Sequence, residues 1–226
     1  MLDGVTAVDS SIPPPPPSRS ASRLRPWYLV AAMMLTGFVG FNGLNTGAAN
    51  AIFLREGRLP DLTAAGHAAR SSLDMLDFAA LVRAAELSAM LSHVKLTFPI
   101  AVAEALLSGL LMFASFLAMG GRRGARSLAL QAVVANALLA VGAYVLTRGM
   151  RAEWMDVVMR TVAAMPATAP QHLAFGDPSK LWWITRIKLF FIELSPLALA
   201  LFALTRARTK SFFDAVAHTA ESPGEP

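Results

Sequence analysis

Cysteine is absent from all 226 residues, which excludes disulfides, thiolate metal sites, cysteine nucleophiles and dithiol redox chemistry together. Charge is scarce too: 15% of residues are charged, against about 25% in an ordinary soluble domain. The histidines, His67, His93, His172 and His218, are widely separated, with no HExxH string and no pair one helical turn apart, so no metal site is expected. P-loop, GxGxxG and GxSxG strings are also missing, and no cofactor or soluble-enzyme chemistry is expected.

What the chain has in abundance is apolar surface. Hydrophobic residues make up 55% of it, with a mean hydropathy of +0.50. They gather into four stretches, 27–53, 97–119, 128–146 and 182–204, each near or above the ~20 residues that cross a bilayer core. The fold expected is an all-α integral membrane protein, a four-helix bundle of four transmembrane spans with amphipathic helices in two long extracytoplasmic loops. Residues 1–26 read as a disordered proline-rich cytoplasmic tail, 27–205 as one membrane domain and 206–226 as a short cytoplasmic tail. The proline run at 13–17 is expected to be a polyproline II spacer, and the N-terminus lacks the basic-then-short-apolar order of a cleaved signal.

Lys and Arg set the orientation. Arg19, Arg23 and Arg25 precede span one, Arg122, Arg123 and Arg126 fill the tight connection after span two, and Arg206, Arg208 and Lys210 follow span four. Four spans put these groups on one side, and their density beside the span ends places both termini in the cytoplasm of a bacterial plasma membrane. Arg55, Arg58, Arg148 and Arg151 on the other side oppose that assignment. The pI near 10.2 follows from these clusters and anionic lipid, so no nucleic-acid partner is expected.

Each long loop has a helical pattern. The first, over 63–96, carries Leu73, Leu76, Ala80, Leu87, Leu91 and Val94 on one face. The second carries Trp154, Val157, Val158, Thr161, Val162 and Met165, with Asp156 and Arg160 in the favourable acid-to-base order, and Pro166 and Pro170 end it. Asp177-Pro178-Ser179 reads as the turn that caps span four, while Trp27, Tyr28, Trp182 and Trp183 mark span ends. Phe212, Phe213 and Val216 read as a membrane-lying turn after span four.

Every span also holds a strongly polar residue. At 1.5 Å per residue, Glu104 and Glu193 lie roughly 10 and 13 Å in from the same side, and Asn45, Asn42 and Asn136 lie roughly 12 to 16 Å deep. Intramembrane ionisable groups are costly and mark functional sites by default. In span one Gly37, Gly40, Gly43 and Gly47 recur at spacings of three and four, a small-residue surface for close helix packing in the bundle or against a second protomer. Pro196, three residues after Glu193, predicts a kink, and Pro99 reads as an early-turn proline.

The leading functional expectation is a non-enzymatic four-span subunit or accessory of an envelope or transport assembly, its partners the lipid bilayer and a protein partner or second copy. The alternative is a small proton- or cation-coupled channel or transporter using Glu104 and Glu193. An intramembrane enzyme acting on lipid, with His93 assisting one of those acids, comes third.

Overall fold

The computed structural model describes residues 25–57, 75–122, 124–163 and 177–221. The proline run, the start of the first loop pattern, Pro166, Pro170, His67 and His172 lie outside them. The described residues are helical throughout, without strands: α1 Trp27–Glu56, α2 Met75–Ser92, α3 Val94–Met119, α4 Ala125–Leu146, α5 Arg148–Ala163, α6 Pro178–Ile187, a π-helical segment Lys188–Leu194, α7 Ser195–Thr205 and α8 Ala207–Glu221. Four of these paths are long and apolar enough to cross a membrane: Trp27–Glu56, Val94–Met119, Ala125–Leu146 and Ser179–Thr205.

The spans close a ring in which α1 packs on α3, α3 on α4, α4 on α7 and α7 back on α1. One end, here the terminal side, holds the start of α1, the α3–α4 connection and the end of α7. The other, the loop side, carries α2 and α5. On the terminal side Leu29, Met33, Leu111, Ala114, Ala129, Ala132, Ala200 and Leu204 form the main core. Around the ring the burial pattern is the reverse of a soluble protein's. Phe38, Phe41, Phe113, Phe116, Leu138 and Phe202 point outward, whereas Thr36, Ser108, Ser115 and Asn136 are buried. Lipid solvates the outward apolar side chains, so small and hydroxylated residues share the interior with Leu29, Met33, Leu111 and Leu204, their hydroxyls satisfied locally. Thr36 Oγ1 donates to the Ala32 carbonyl at 2.6 Å and Ser115 Oγ to the Leu111 carbonyl at 2.8 Å.

The α1–α3 seam is the most extensive in the bundle, and glycine creates it. A Cβ on Gly40 would stand 2.7 Å from the Met112 nitrogen and 2.8 Å from the Ser108 carbonyl oxygen, and one on Gly47 would stand 2.6 Å from the Ala105 nitrogen. A Cβ on Gly43 would collide with the Ser108 hydroxyl, whereas one on Gly37 would meet Ser115 Cβ at an ordinary 3.6 Å. Backbone touches backbone here, so the small-residue face of span one is occupied within the chain.

The loop helices pack on each other. Ala85 of α2 meets Met155, Val158 and Val162 of α5, with Leu181 of α6 beneath, and Trp154 Nε1 donates to the Val82 carbonyl at 3.2 Å. The buried side of α2 is Leu81, Ala84, Ala85, Ala89 and Met90, a different face from the leucine-led one expected, because its alanines allow closer approach. Leu87 and Leu91 are only partly buried, against Leu54, Met90 and Ala101. His93 interrupts the first loop pattern, so α3 begins at Val94 and Pro99 falls inside it. Asp156 and Arg160 pair on the exposed side of α5. Asp177 accepts from the Ser179 amide at 2.9 Å, and those hydrogen bonds to Ser179 hold its carboxyl below the usual carboxylate range.

Past span four the chain continues as α8, which docks on the end of the bundle. Phe212 and Phe213 are buried in the main core, the Tyr28 hydroxyl meets Thr209 Oγ1 at 3.1 Å, and Arg126 Nε donates to the Leu204 carbonyl at 3.0 Å. The terminal side is therefore sealed by both apolar packing and polar ties.

The seam sets a graded expectation. Gly40→Leu and Gly47→Leu should each cost about 3 kcal/mol or more, because backbone cannot yield as a side chain does, while Gly37→Ala and Gly142→Ala should stay within about 1 kcal/mol. Thermal unfolding of the purified variants in detergent checks this, and equal tolerance at all four positions would refute the seam.

Candidate functional site

The inward stripe of α3 runs Thr97, Ala101, Glu104, Ser108, Leu111, Ser115 and Ala118, alternating steps of four and three. Every member is buried except Glu104, which is half-buried. Span four repeats the pattern with Leu189, Glu193, Pro196, Ala200 and Ala203, again with only the glutamate incompletely buried. Both acids thus occupy core positions and interrupt stripes that are buried on either side of them. On α4 the fully buried stripe Ala125, Ala129, Ala132 and Asn136 stops at this level and resumes only at Thr147. On α1 the half-buried Gly43 stands level with Ser108.

Glu104 and Glu193 lie within electrostatic range of one another, with Lys188 near both and Glu86 of α2 within range of Glu104. Lys188 Nζ stands 4.0 Å from Glu193 Oε1. That pairing depends on the π-helical segment. Five residues of α-helix would turn the two side chains roughly 140° apart at 3.6 residues per turn, whereas π-helical bonding, i to i+5, brings that spacing into one turn. The Ser195 amide bonds the Phe190 carbonyl in this i to i+5 pattern. Pro196 supplies the cause, since it lacks an N–H and its ring crowds the carbonyl four residues back. The expected kink takes this form.

Asn136 ties α3 to α4. Its Nδ2 donates to the carbonyls of Leu107 and Ala132, both at 2.9 Å, and its Oδ1 accepts from Ser108 Oγ at 3.4 Å. Asn42 and Asn45 are not gathered here. Both are exposed on the face of α1 turned away from α3, alongside Phe38, Phe41 and Ile52. Asn50, which the polar-layer reading passed over, is buried at 8% exposure, and its Oδ1 accepts from Arg83 Nη2 of α2 at 2.9 Å. Ser108 was also missed, although it stands one turn from Glu104 on the same stripe.

The loop helices sit over this level. Arg83 also donates to Glu86 Oε2 at 2.6 Å, which leaves the guanidinium bridging α1 and α2. His93 is engaged elsewhere, its Nδ1 3.4 Å from Glu153 Oε2 and 2.9 Å from Ser92 Oγ, and Ser92 Oγ donates to the same Glu153 oxygen at 2.9 Å. That cluster pins α5 to the α2–α3 corner. Among the described residues no group of three or more His, Asp or Glu side chains could hold a metal ion.

The site is therefore a pair of half-buried carboxyls with one ammonium beside them, set in a four-span bundle above the buried terminal-side core. No family model, curated protein or solved structure matches the chain.

Proposed function

We propose that this four-span membrane protein carries a proton or a small monovalent cation, with Glu104 and Glu193 as the binding pair. The observation that supports the reading most is that the only incompletely buried positions in two inward stripes are both glutamates and lie within electrostatic range of one another. With both acids ionised, Glu104, Glu193 and Lys188 together hold one net negative charge. One proton or monovalent cation completes neutrality, which in a low-dielectric setting is the state of least cost. Asn136 and Ser108 hold α3 against α4 beside the site. The sealed core of Leu111, Ala129 and Ala200 below is the closed gate, and the π-helical segment, a form often found at functional sites, is the element able to shift span four. In this reading the termini face the cytoplasm, so the open half faces outward.

Glu104→Gln and Glu193→Gln should each reduce proton or cation flux into liposomes by roughly tenfold or more while membrane level and thermal midpoint stay near those of the parent chain. Loss of folded protein in step with loss of flux would make the acids interhelical glue and sink the proposal.

A second reading, a subunit of a larger assembly, is favoured by Asn42 and Asn45. Two amides on a lipid-facing ridge leave hydrogen-bonding capacity that a neighbouring helix would satisfy. Replacing both with Leu should leave the monomer folded and abolish cross-linking to a partner or second copy in native membranes; undiminished cross-linking removes the reason for this reading.

A further inference from the structure

The loop-side ends of α4 and α6, with the first turn of α5, frame a cavity of ≈ 760 Å³ that is separate from the glutamate pair. Arg148, Arg151 and Arg186 line it together with Tyr144, Trp182 and Trp183, and no acidic residue contributes to its wall. Three cationic groups elsewhere in the described residues pair with carboxylates, Arg83 with Glu86, Arg160 with Asp156 and Lys188 with Glu193. None of the three cavity arginines forms an ion pair with a described carboxylate.

Arg151 is held on two sides. Its guanidinium carbon lies 3.8 Å from the centre of the Tyr144 ring, and its Nη1 donates to Thr147 Oγ1 at 2.8 Å. Its Nε is the one buried side-chain nitrogen or oxygen among the described residues that lacks a hydrogen-bond partner. Burial pulls the pKa of this side chain down from the ordinary arginine value, with Tyr144 opposing that shift and Arg148 adding to it. Arg186 stands 5.7 Å from the Trp183 ring at the opposite wall.

We propose that this cavity binds a phosphate ester anion, with Arg148, Arg151 and Arg186 as its cationic wall. Guanidinium groups match phosphate oxygens with paired, charge-assisted hydrogen bonds. The first turns of α5 and α6 reach the cavity through Arg148 and Ser179 and bring two positive helix-dipole ends, against one negative end from the last turn of α4 at Tyr144 and Val145. The indoles stand at the start of a span, at the depth of lipid phosphates, and the volume is that of a small-molecule site, about 300–1,000 Å³. The anion is the headgroup of an acidic lipid or a soluble phosphate ester, since both present the same chemistry. The inference does not depend on the proposed cation pathway.

The test uses the full chain in mild detergent, titrated separately with dioctanoyl phosphatidic acid, glycerol 3-phosphate and uncharged dioctanoylglycerol. Indole fluorescence reports binding, because Trp182 and Trp183 line the cavity. We expect a saturable response to at least one of the two phosphates and none to dioctanoylglycerol. Arg148→Ala with Arg186→Ala should weaken it by roughly tenfold or more, as should Arg186→Ala alone in part, its exposed side chain leaving the fold intact. Arg55→Ala with Lys95→Ala, at a different loop-side groove, should change it by less than about twofold. Response to phosphatidic acid only identifies a lipid headgroup, and an equal response to glycerol 3-phosphate identifies an aqueous ester. No saturable response to either phosphate, an equal response to dioctanoylglycerol, or equal weakening by both variant pairs would overturn the proposal.

Discussion

The backbone of α1 lies directly on the backbone of α3 because Gly40 and Gly47 have no side chain to hold them apart, and the bundle is arranged around that contact. Two spans joined so closely form one thick wall. The α4 helix and span four complete the ring, α4 through Asn136 and its alanines, span four through Ala200 and Leu204. In lipid there is little hydrophobic gain from burying leucine, so close approach and satisfied polar groups supply what burial supplies in water. The interior of small and hydroxylated residues under an exterior of phenylalanine and leucine follows from that change of solvent.

The same economy explains where burial is interrupted. Small residues close the terminal half, and α8 inserts Phe212 and Phe213 into it from below. Toward the loop side the inward stripes are interrupted at Glu104 and Glu193, and burial resumes at Ala101, Thr97 and Leu189. Carboxyls at core positions cost too much to be packed dry, and both are left half-buried beneath the loop helices. The π-helical segment before Pro196 belongs to this level because it places Lys188 beside Glu193.

Much of this was legible in the sequence. Long apolar runs fix the number and approximate limits of the spans, because a bilayer sets helix length with little room for alternatives. The step of three and four among Gly37, Gly40, Gly43 and Gly47 announces close packing, but nothing in it distinguishes a helix of the same chain from one of another. The face buried by α2 was misread because alanine counts for little in a hydrophobicity pattern, yet decides how near two helices come. Depth along a span is a matter of counting residues, and so Glu104 and Glu193 could be placed at one level. Direction around a span depends on its neighbours, which is why Asn42 and Asn45 share a depth with the acids and yet point outward. The docking of Phe212 and Phe213 was hidden for a similar reason, since an amphipathic turn looks alike whether it meets lipid or protein.

The claim on which the proposed function rests is that water reaches the two glutamates from the loop side, while the core beyond them is closed. The absence of native cysteine permits a direct test by single replacements at Glu104, Glu193, Leu111, Ser115 and Leu197, each exposed in a lipid bilayer to a small water-soluble thiol reagent. The account predicts rapid modification at positions 104 and 193 and protection at 111, 115 and 197 in folded protein. Protection of positions 104 and 193 equal to that of 115 would contradict it.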